Sequence, residues 1–317
     1  MGRRIFHLIA FIIIGLEILA MSEQKVNYKL KKDNYSFVLE NIEPTEKDQL
    51  VYTGMGGFYM KDDHYYWLKA VQKTGERSLF FSEENTSGSY PVANDSESAL
   101  LLGHGNDLAY TKEGDYFYST ALEKNNYAIV RFRYDDKTKK ITDFKKYKFE
   151  NNKKRADGIT YYGRDSHNRL LFLVRVQVKP GETIEFKIGR LEENEFKTVQ
   201  TFYVSDQTRY QEHLQGIFYR NNLLYITSFD GFWKSKIQIY DMTDVINKKE
   251  LVILDEDDKK YDIIMNGNKL KKGWMDKFEI ESLYVSQKGY IYFNANIKYG
   301  GIKDDKDCIV KITQPFN

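Results

Sequence analysis

Cysteine is nearly absent from this 317-residue chain: Cys308 stands alone, which excludes an intramolecular disulfide and a cysteine-built zinc site. It lies in the strand-like run CIVKI and reads as a core filler rather than a nucleophile. Proline is also scarce, with four residues, so few ladder donors are lost and many segments are free to pair as strands. Neither sign of charge dominates. The 48 basic and 46 acidic side chains leave a net charge of +2, too weak a field to point to nucleic acid as a partner. The basic run Lys145 to Arg155 (KKYKFENNKKR) reads as a solvated outer strand and turn. Long amphipathic helices are missing, and so are G-x-S-x-G, a phosphate-binding glycine loop and HExxH; a serine-nucleophile elbow and nucleotide chemistry are thereby excluded. The acidic clusters at 255–258 and 304–307 lack the alternation and central glycine of a calcium loop. No cofactor and no metal are expected.

Aromatic residues are plentiful, including 25 tyrosines, and suit half-buried pleated surfaces. At the N-terminus, Arg3 and Arg4 precede an apolar stretch from Ile5 to Ala20 that Gly15 and Glu17 interrupt. It is shorter than the roughly 18 residues of a spanning helix, and residues 1–22 read as a secretory signal or an uncleaved anchor. Residues 23–317 then form a single domain, secreted or attached to the outer surface, that touches a membrane only through this segment.

Within that domain one segment recurs five times. The copies begin at Gly54 (GMGGFYMKDDHYYWLKAV), His104 (HGNDLAYTKEGDYFYSTA), Arg155 (RADGITYYGRDSHNRLLFLVRV), His213 (HLQGIFYRNNLLYITSF) and Glu279 (EIESLYVSQKGYIYFNAN). Their starts lie about 50 to 65 residues apart, a spacing that fits propeller blades and exceeds most helical solenoid repeats. The expected fold is all-β: a five-bladed β-propeller with roughly four antiparallel strands per blade. The turns KDDH, KEGD, GRDSHN, RNN and QKG make each copy a hairpin. Third strands are expected at Ser78–Phe81, Ala128–Phe132, Glu185–Ile188, Lys236–Tyr240 and Cys308–Ile312, and outer strands at Ile141–Lys145, Phe196–Phe202 and Glu250–Leu254. The fifth copy ends too near the C-terminus to make its own outer strand, so Tyr35–Leu39 is expected to supply it and close the ring. The segment 255–277 reads as a long loop, either covering the channel mouth or making a surface excursion.

Aligning Gly57, Asp107, Gly158, Gly216 and Ser282 as one column gives two flanking columns on the same face of each innermost strand. They place His104, Asn106, Arg155, Asp157, His213, Gln215, Glu279 and Glu281 around the central channel as a candidate ligand-binding ring. Asp157 and Glu281 are its candidate catalytic carboxylates, since two facing carboxylates are the acid and base of glycoside hydrolysis and five-bladed glycosidases use inner-strand carboxylates. A hydrogen-bonded polar plug is the alternative. A metal set built on His104 and His213 has no supporting spacing.

The last two repeats resemble the helveticin-J-like large bacteriocins, on Leu214-Gln215-Gly216 with Leu224-Tyr225-Ile226-Thr227-Ser228 and on Glu279-Ile280-Glu281-Ser282-Leu283 with Tyr290-Ile291-Tyr292. The resemblance implies a secreted bacteriocin-like protein of a Gram-positive bacterium, recognising a cell-envelope glycan or teichoic-acid-like polymer through the channel face. The alternatives are a five-bladed-propeller glycoside hydrolase acting on an extracellular polysaccharide and a non-catalytic adhesion scaffold.

Overall fold

The structure, a computed structural model, describes residues 26–29, 34–44, 52–71, 78–82, 102–123, 126–138, 140–179, 182–205, 213–231, 234–248, 250–266, 275–299 and 306–316. Two strands, β1 (Val26–Lys29) and β2 (Asn34–Pro44), precede the first repeat. Blade 1 is β3 (Tyr52–Lys61), β4 (His64–Val71) and β5 (Ser78–Ser82). Blade 2 is β6 (Leu108–Thr111), β7 (Tyr116–Glu123), β8 (Asn126–Asp135) and β9 (Lys140–Lys148). Blade 3 is β10 (Ala156–Arg164), β11 (Leu170–Val176), β12 (Ile184–Glu192) and β13 (Glu195–Val204). Blade 4 contains β14 (His213–Arg220), β15 (Leu223–Phe229) and β16 (Lys234–Asp241), with β17 (Val252–Leu254) leaving it and β18 (Lys259–Asn266) completing it. Blade 5 is β19 (Met275–Val285), β20 (Ile291–Tyr299) and β21 (Lys306–Ile312), extended by β2 and β1.

The innermost strands touch in cyclic order, β3 to β6 to β10 to β14 to β19 and back to β3, so the five sheets form a closed propeller. Closure follows the expected route. Strand β2 pairs antiparallel with β21, Phe37 opposite Ile312 and Ile42 opposite Cys308, which covers an edge that would otherwise be free. Turn chemistry sets the hairpins. Asp62 and Asp63, and likewise Asn221 and Asn222, all have positive φ, the pattern of the two-residue turn whose twist matches the strands it joins.

Each blade buries its faces against its neighbours, and the described apolar core divides into five clusters, one per interface. Phe80, Phe117 and Phe132 fill the interface of blades 1 and 2, and Phe172, Tyr118 and Phe149 that of blades 2 and 3. Cys308 is buried in the core of blade 5, where burial pushes its thiol well up from the usual range.

Among the described residues blade 1 has three strands and blade 5 has five, in line with the roughly four expected per blade. Two expectations about the strands need correction. Glu250–Leu254 does not supply the outer strand of blade 4. Its strand portion pairs in parallel with β13, because Val252 and Leu254 alternate into the core between blades 3 and 4. Lys259–Asn266, expected to be loop, is the outer strand instead, with Ile263 and Met265 pointing inward. Residues 267–274 of that loop, with Trp274, together with Trp233 and the N-terminal segment 1–22, lie outside the described residues.

Candidate functional site

Period-two alternation fails at the start of the inner strands, and that failure builds the site. Four of the five inner strands shift register at the same repeat position, between Met55 and Phe58, Ala156 and Gly158, Leu214 and Ile217, and Ile280 and Ser282. Each shift is a β-bulge, which re-aims side chains and frees backbone groups from the ladder. Gly56, Asp157, Gln215 and Glu281 occupy these bulges.

The freed groups converge on Asp107, the one long side chain in the aligned column. Its Oδ2 accepts the Ile159 N–H of blade 3 at 3.2 Å and the Ile217 N–H of blade 4 at 2.9 Å, and its Oδ1 accepts the Ser282 hydroxyl of blade 5 at 2.9 Å. A Cβ on Gly158 or Gly216 would stand 2.9 or 2.8 Å from the Asp107 carboxylate. Three glycines and a serine therefore leave the axis open, and one aspartate from blade 2 fills it. The aligned column, to which the sequence reading gave no role, thus supplies an axial side chain of its own. Burial pushes Asp107 up to about 8 against the opposing pull of Arg175 and the three donors.

The expected ring residues separate into two groups and some outliers. Gln215 Nε2 donates to Glu279 Oε1 at 2.7 Å, Lys277 pairs with the other Glu279 oxygen, and Asn296 Nδ2 donates to Glu281 Oε1 at 2.5 Å. Burial, the charge of Glu279 and a hydrogen bond with it hold the partly exposed Glu281 carboxyl well above the usual range. The second group surrounds Asp157. Arg175, fully buried, donates Nε to its carboxylate at 2.7 Å and Nη2 to its carbonyl at 3.2 Å. Burial nevertheless raises the Asp157 carboxyl, opposed by Arg175 and by the nearby Arg155. His104 and Asn106 sit half-buried in the segment before β6, whereas His213 is exposed at the start of β14. His213 thus stands apart from both groups, and among the described residues no set of three metal-ligating side chains is assembled.

Reasoning from the inner strands overlooks the second strand of each blade. Lys69, Ser119, Arg175, Thr227 and Asn294 are polar residues within otherwise apolar runs, and all are buried. Arg175, Thr227 and Asn294 serve the bulges, and Ser119 serves Asp107. Thr227 Oγ1 accepts the Gly216 N–H at 2.7 Å, Asn294 Oδ1 accepts the Ser282 N–H at 2.9 Å, and Ser119 donates to the Asp107 carbonyl at 2.7 Å. The signal was the presence of polar residues inside apolar runs such as LLFLVRV and IYFNANI.

Beyond Asp107 the far ends of the inner strands carry aromatics. Tyr59 meets Tyr110, Phe218 and Tyr284 with ring centroids 5.7, 6.5 and 4.9 Å apart, so rings from four blades gather at that end. Polar side chains at one end, a buried carboxyl in the middle and aromatics at the other make the axis a polar-to-apolar gradient.

A five-bladed propeller with a carboxyl pair at one end of its axis is the class of protein these features define. No protein-family model matches the chain, and no curated protein matches it. Solved structures do. A β-xylosidase, RS223, superposes with a TM-score of 0.51 at 11% identity, over 88% of this chain and 96% of that one. An engineered GH43 glycoside hydrolase displaying endo-xylanase and exo-arabinofuranosidase activity gives 0.51 at 7% identity, over 86% of this chain and 52% of that one. The chain also spans 64% of the length of the Dos1 propeller, with 10% identity and a TM-score of 0.40 over 84% of its own residues. At these identities the likeness to the two hydrolases establishes a β-propeller fold.

Proposed function

We propose that this protein acts on an extracellular polysaccharide as a glycoside hydrolase, with Glu281 as its proton donor. The observation that carries the reading is the Glu279–Glu281 pair. Glu279 is held by Lys277 and Gln215, and beside it Glu281 keeps its proton at a pH where an ordinary glutamate would lose it. A carboxyl that is protonated, partly exposed and on an inner strand is what protonation of a glycosidic oxygen requires. Asp157 occupies the equivalent bulge two blades away and is the second carboxylate of the reaction, positioned by Arg175. The fold shared with two glycoside hydrolases supports this reading. Glu281→Gln is expected to lower turnover of the susceptible polysaccharide by about 10²–10⁴-fold while leaving its binding intact. The measurement is reducing-sugar release from xylan, arabinan, galactan and cell-wall fractions. Wild-type protein that binds these polymers and releases no sugar from any of them would sink the hydrolase reading.

A bacteriocin-like role is the second proposal. The segments behind that resemblance, Leu214–Gly216 and Glu279–Leu283, are also those that form the bulges of blades 4 and 5, so blade geometry alone accounts for much of the likeness. Killing of related bacteria by the secreted protein is its test, and an inactive protein at micromolar concentration rejects it.

A further inference from the structure

A cleft of about 350 Å³ lies between blades 2 and 3, at the opposite end of the inner strands from the carboxyl pair. Asp157 and Arg164 mark the two ends of β10, separated by about 23 Å of extended chain at the usual strand rise. Four arginines line the cleft: Arg131 from β8, Arg164 from β10, Arg169 from the following hairpin and Arg190 from β12. Two carboxylates, Glu113 and Glu192, share the wall with them. Two of the guanidinium groups are braced as a pair. Asp165 Oδ2 accepts Arg169 Nε at 2.8 Å and Arg190 Nη1 at 3.1 Å, while Glu192 Oε1 accepts Arg190 Nε at 2.7 Å and Arg169 Nη1 at 3.3 Å. The Nη2 groups of both arginines have no acceptor among the described residues.

The surroundings add guanidinium groups braced by carboxylates, Arg131 and Arg133 by Asp143 and Arg164 by Glu113, and an apolar floor. The Arg131 and Arg133 guanidinium groups stack 4.0 and 4.5 Å from the centroid of Tyr116, and Lys145 Nζ sits 4.9 Å from that of Tyr147. Tyr118, Tyr147 and Phe172 form the base of the cleft. Pre-positioned guanidinium groups with unused donors recognise carboxylate or phosphate oxygens bidentately. An isolated ion would not need the apolar base, whereas an acidic sugar unit offers both an oxyanion and a C–H face.

We propose that this cleft binds the acidic sugar units of an anionic polysaccharide, through the Arg169–Arg190 pair. The site is separate from the carboxyl pair and does not depend on the hydrolase reading. The test is calorimetric binding of polygalacturonate, a glycerol-phosphate teichoic acid and neutral xylan to wild type, Arg169→Gln and Arg169→Gln/Arg190→Gln. Wild type is expected to bind polygalacturonate, and the double variant to bind it about tenfold or more weakly. Binding of the uronate polymer supports an acidic sugar as the occupant, and binding of the glycerol-phosphate polymer alone, whose backbone has no sugar ring, overturns it. The Arg169 side chain is 47% exposed, so its single variant folds independently of the cleft, and circular dichroism checks the fold of each protein. Equal affinity of wild type and the double variant, absence of binding to polygalacturonate, or an equal loss of neutral-xylan affinity in the double variant overturns the proposal.

Discussion

Asp107 is where the chemistry of a single side chain decides the geometry of the whole axis. It holds amides from two blades and a hydroxyl from a third, so removing it strands donors in the buried axis. Asp107→Ala is expected to cost about 1–3 kcal/mol for each donor left without an acceptor. Asp107→Asn should cost much less, because its carbonyl can take the two amides and its NH₂ can donate to Ser282. The protonation state gives a second test. An acid whose pKa is raised in the fold, here to about 8 from 3.8, binds its proton more tightly folded than unfolded. The stability this contributes is complete below pH about 4 and drains away as pH rises toward 8. Urea midpoints measured at pH 5 and pH 8 should fall more in wild type than in Asp107→Asn. Parallel declines would mean that Asp107 is ionised throughout.

The bulges are the element-scale device, and they work because their neighbours are small. At Gly216 a Cβ would lie 2.7 Å from the Ser282 Cα and 2.8 Å from the Glu281 carbonyl, both backbone atoms that cannot swing aside. Gly216→Ala is therefore expected to destabilise the protein by about 1–3 kcal/mol through overpacking. It should also displace Glu281, so thermal melting and sugar release are the paired measurements; an unchanged melting temperature would show that blades 4 and 5 can slide apart. These bulges also mark the limit of what the sequence disclosed. Hairpins, third strands and ring closure were legible, because turn residues such as Asn221-Asn222 and apolar runs such as LLYITSF act locally. The aligned column was legible too. Its facing was not, since one extra residue per strand inverts the alternation and only the partner strand shows where it is inserted. The same reasoning explains why the sequence singled out Asp157, Gln215, Glu279 and Glu281 but gave no role to Asp107, Arg175 or Asn296. The first set stands in the two flanking columns, whereas Asp107 belongs to the aligned column itself and Arg175 and Asn296 act from the second strands.

At the scale of the molecule, a closed ring needs one seam, and this one lies between blades 1 and 5. Backbone pairing of β2 with β21 completes blade 5, but side chains join the blades across the seam. Asn294 Nδ2 donates to the Gly56 carbonyl at 2.8 Å, and Asn296 Oδ1 accepts the Met55 N–H at 3.0 Å. Beside them Lys69 of β4 and Asp307 of β21 form a buried ion pair at 3.0 Å, with side chains 3% and 0% exposed. A pair so far from solvent adds little over a well-packed apolar substitute, yet removing one partner leaves an uncompensated charge. Lys69→Met is expected to destabilise the protein by about 3–5 kcal/mol, and Lys69→Met/Asp307→Leu to recover at least half of that loss in denaturant unfolding. The seam also reaches the site, because Asn296 holds Met55 with its oxygen and Glu281 with its nitrogen. Loosening the seam should therefore shift the pH dependence of any sugar release along with the melting temperature in the single variant. If the single variant melts as wild type does, the ring is held by β2 and the apolar cluster of Met55, Phe58, Trp67 and Ile309 rather than by the ion pair.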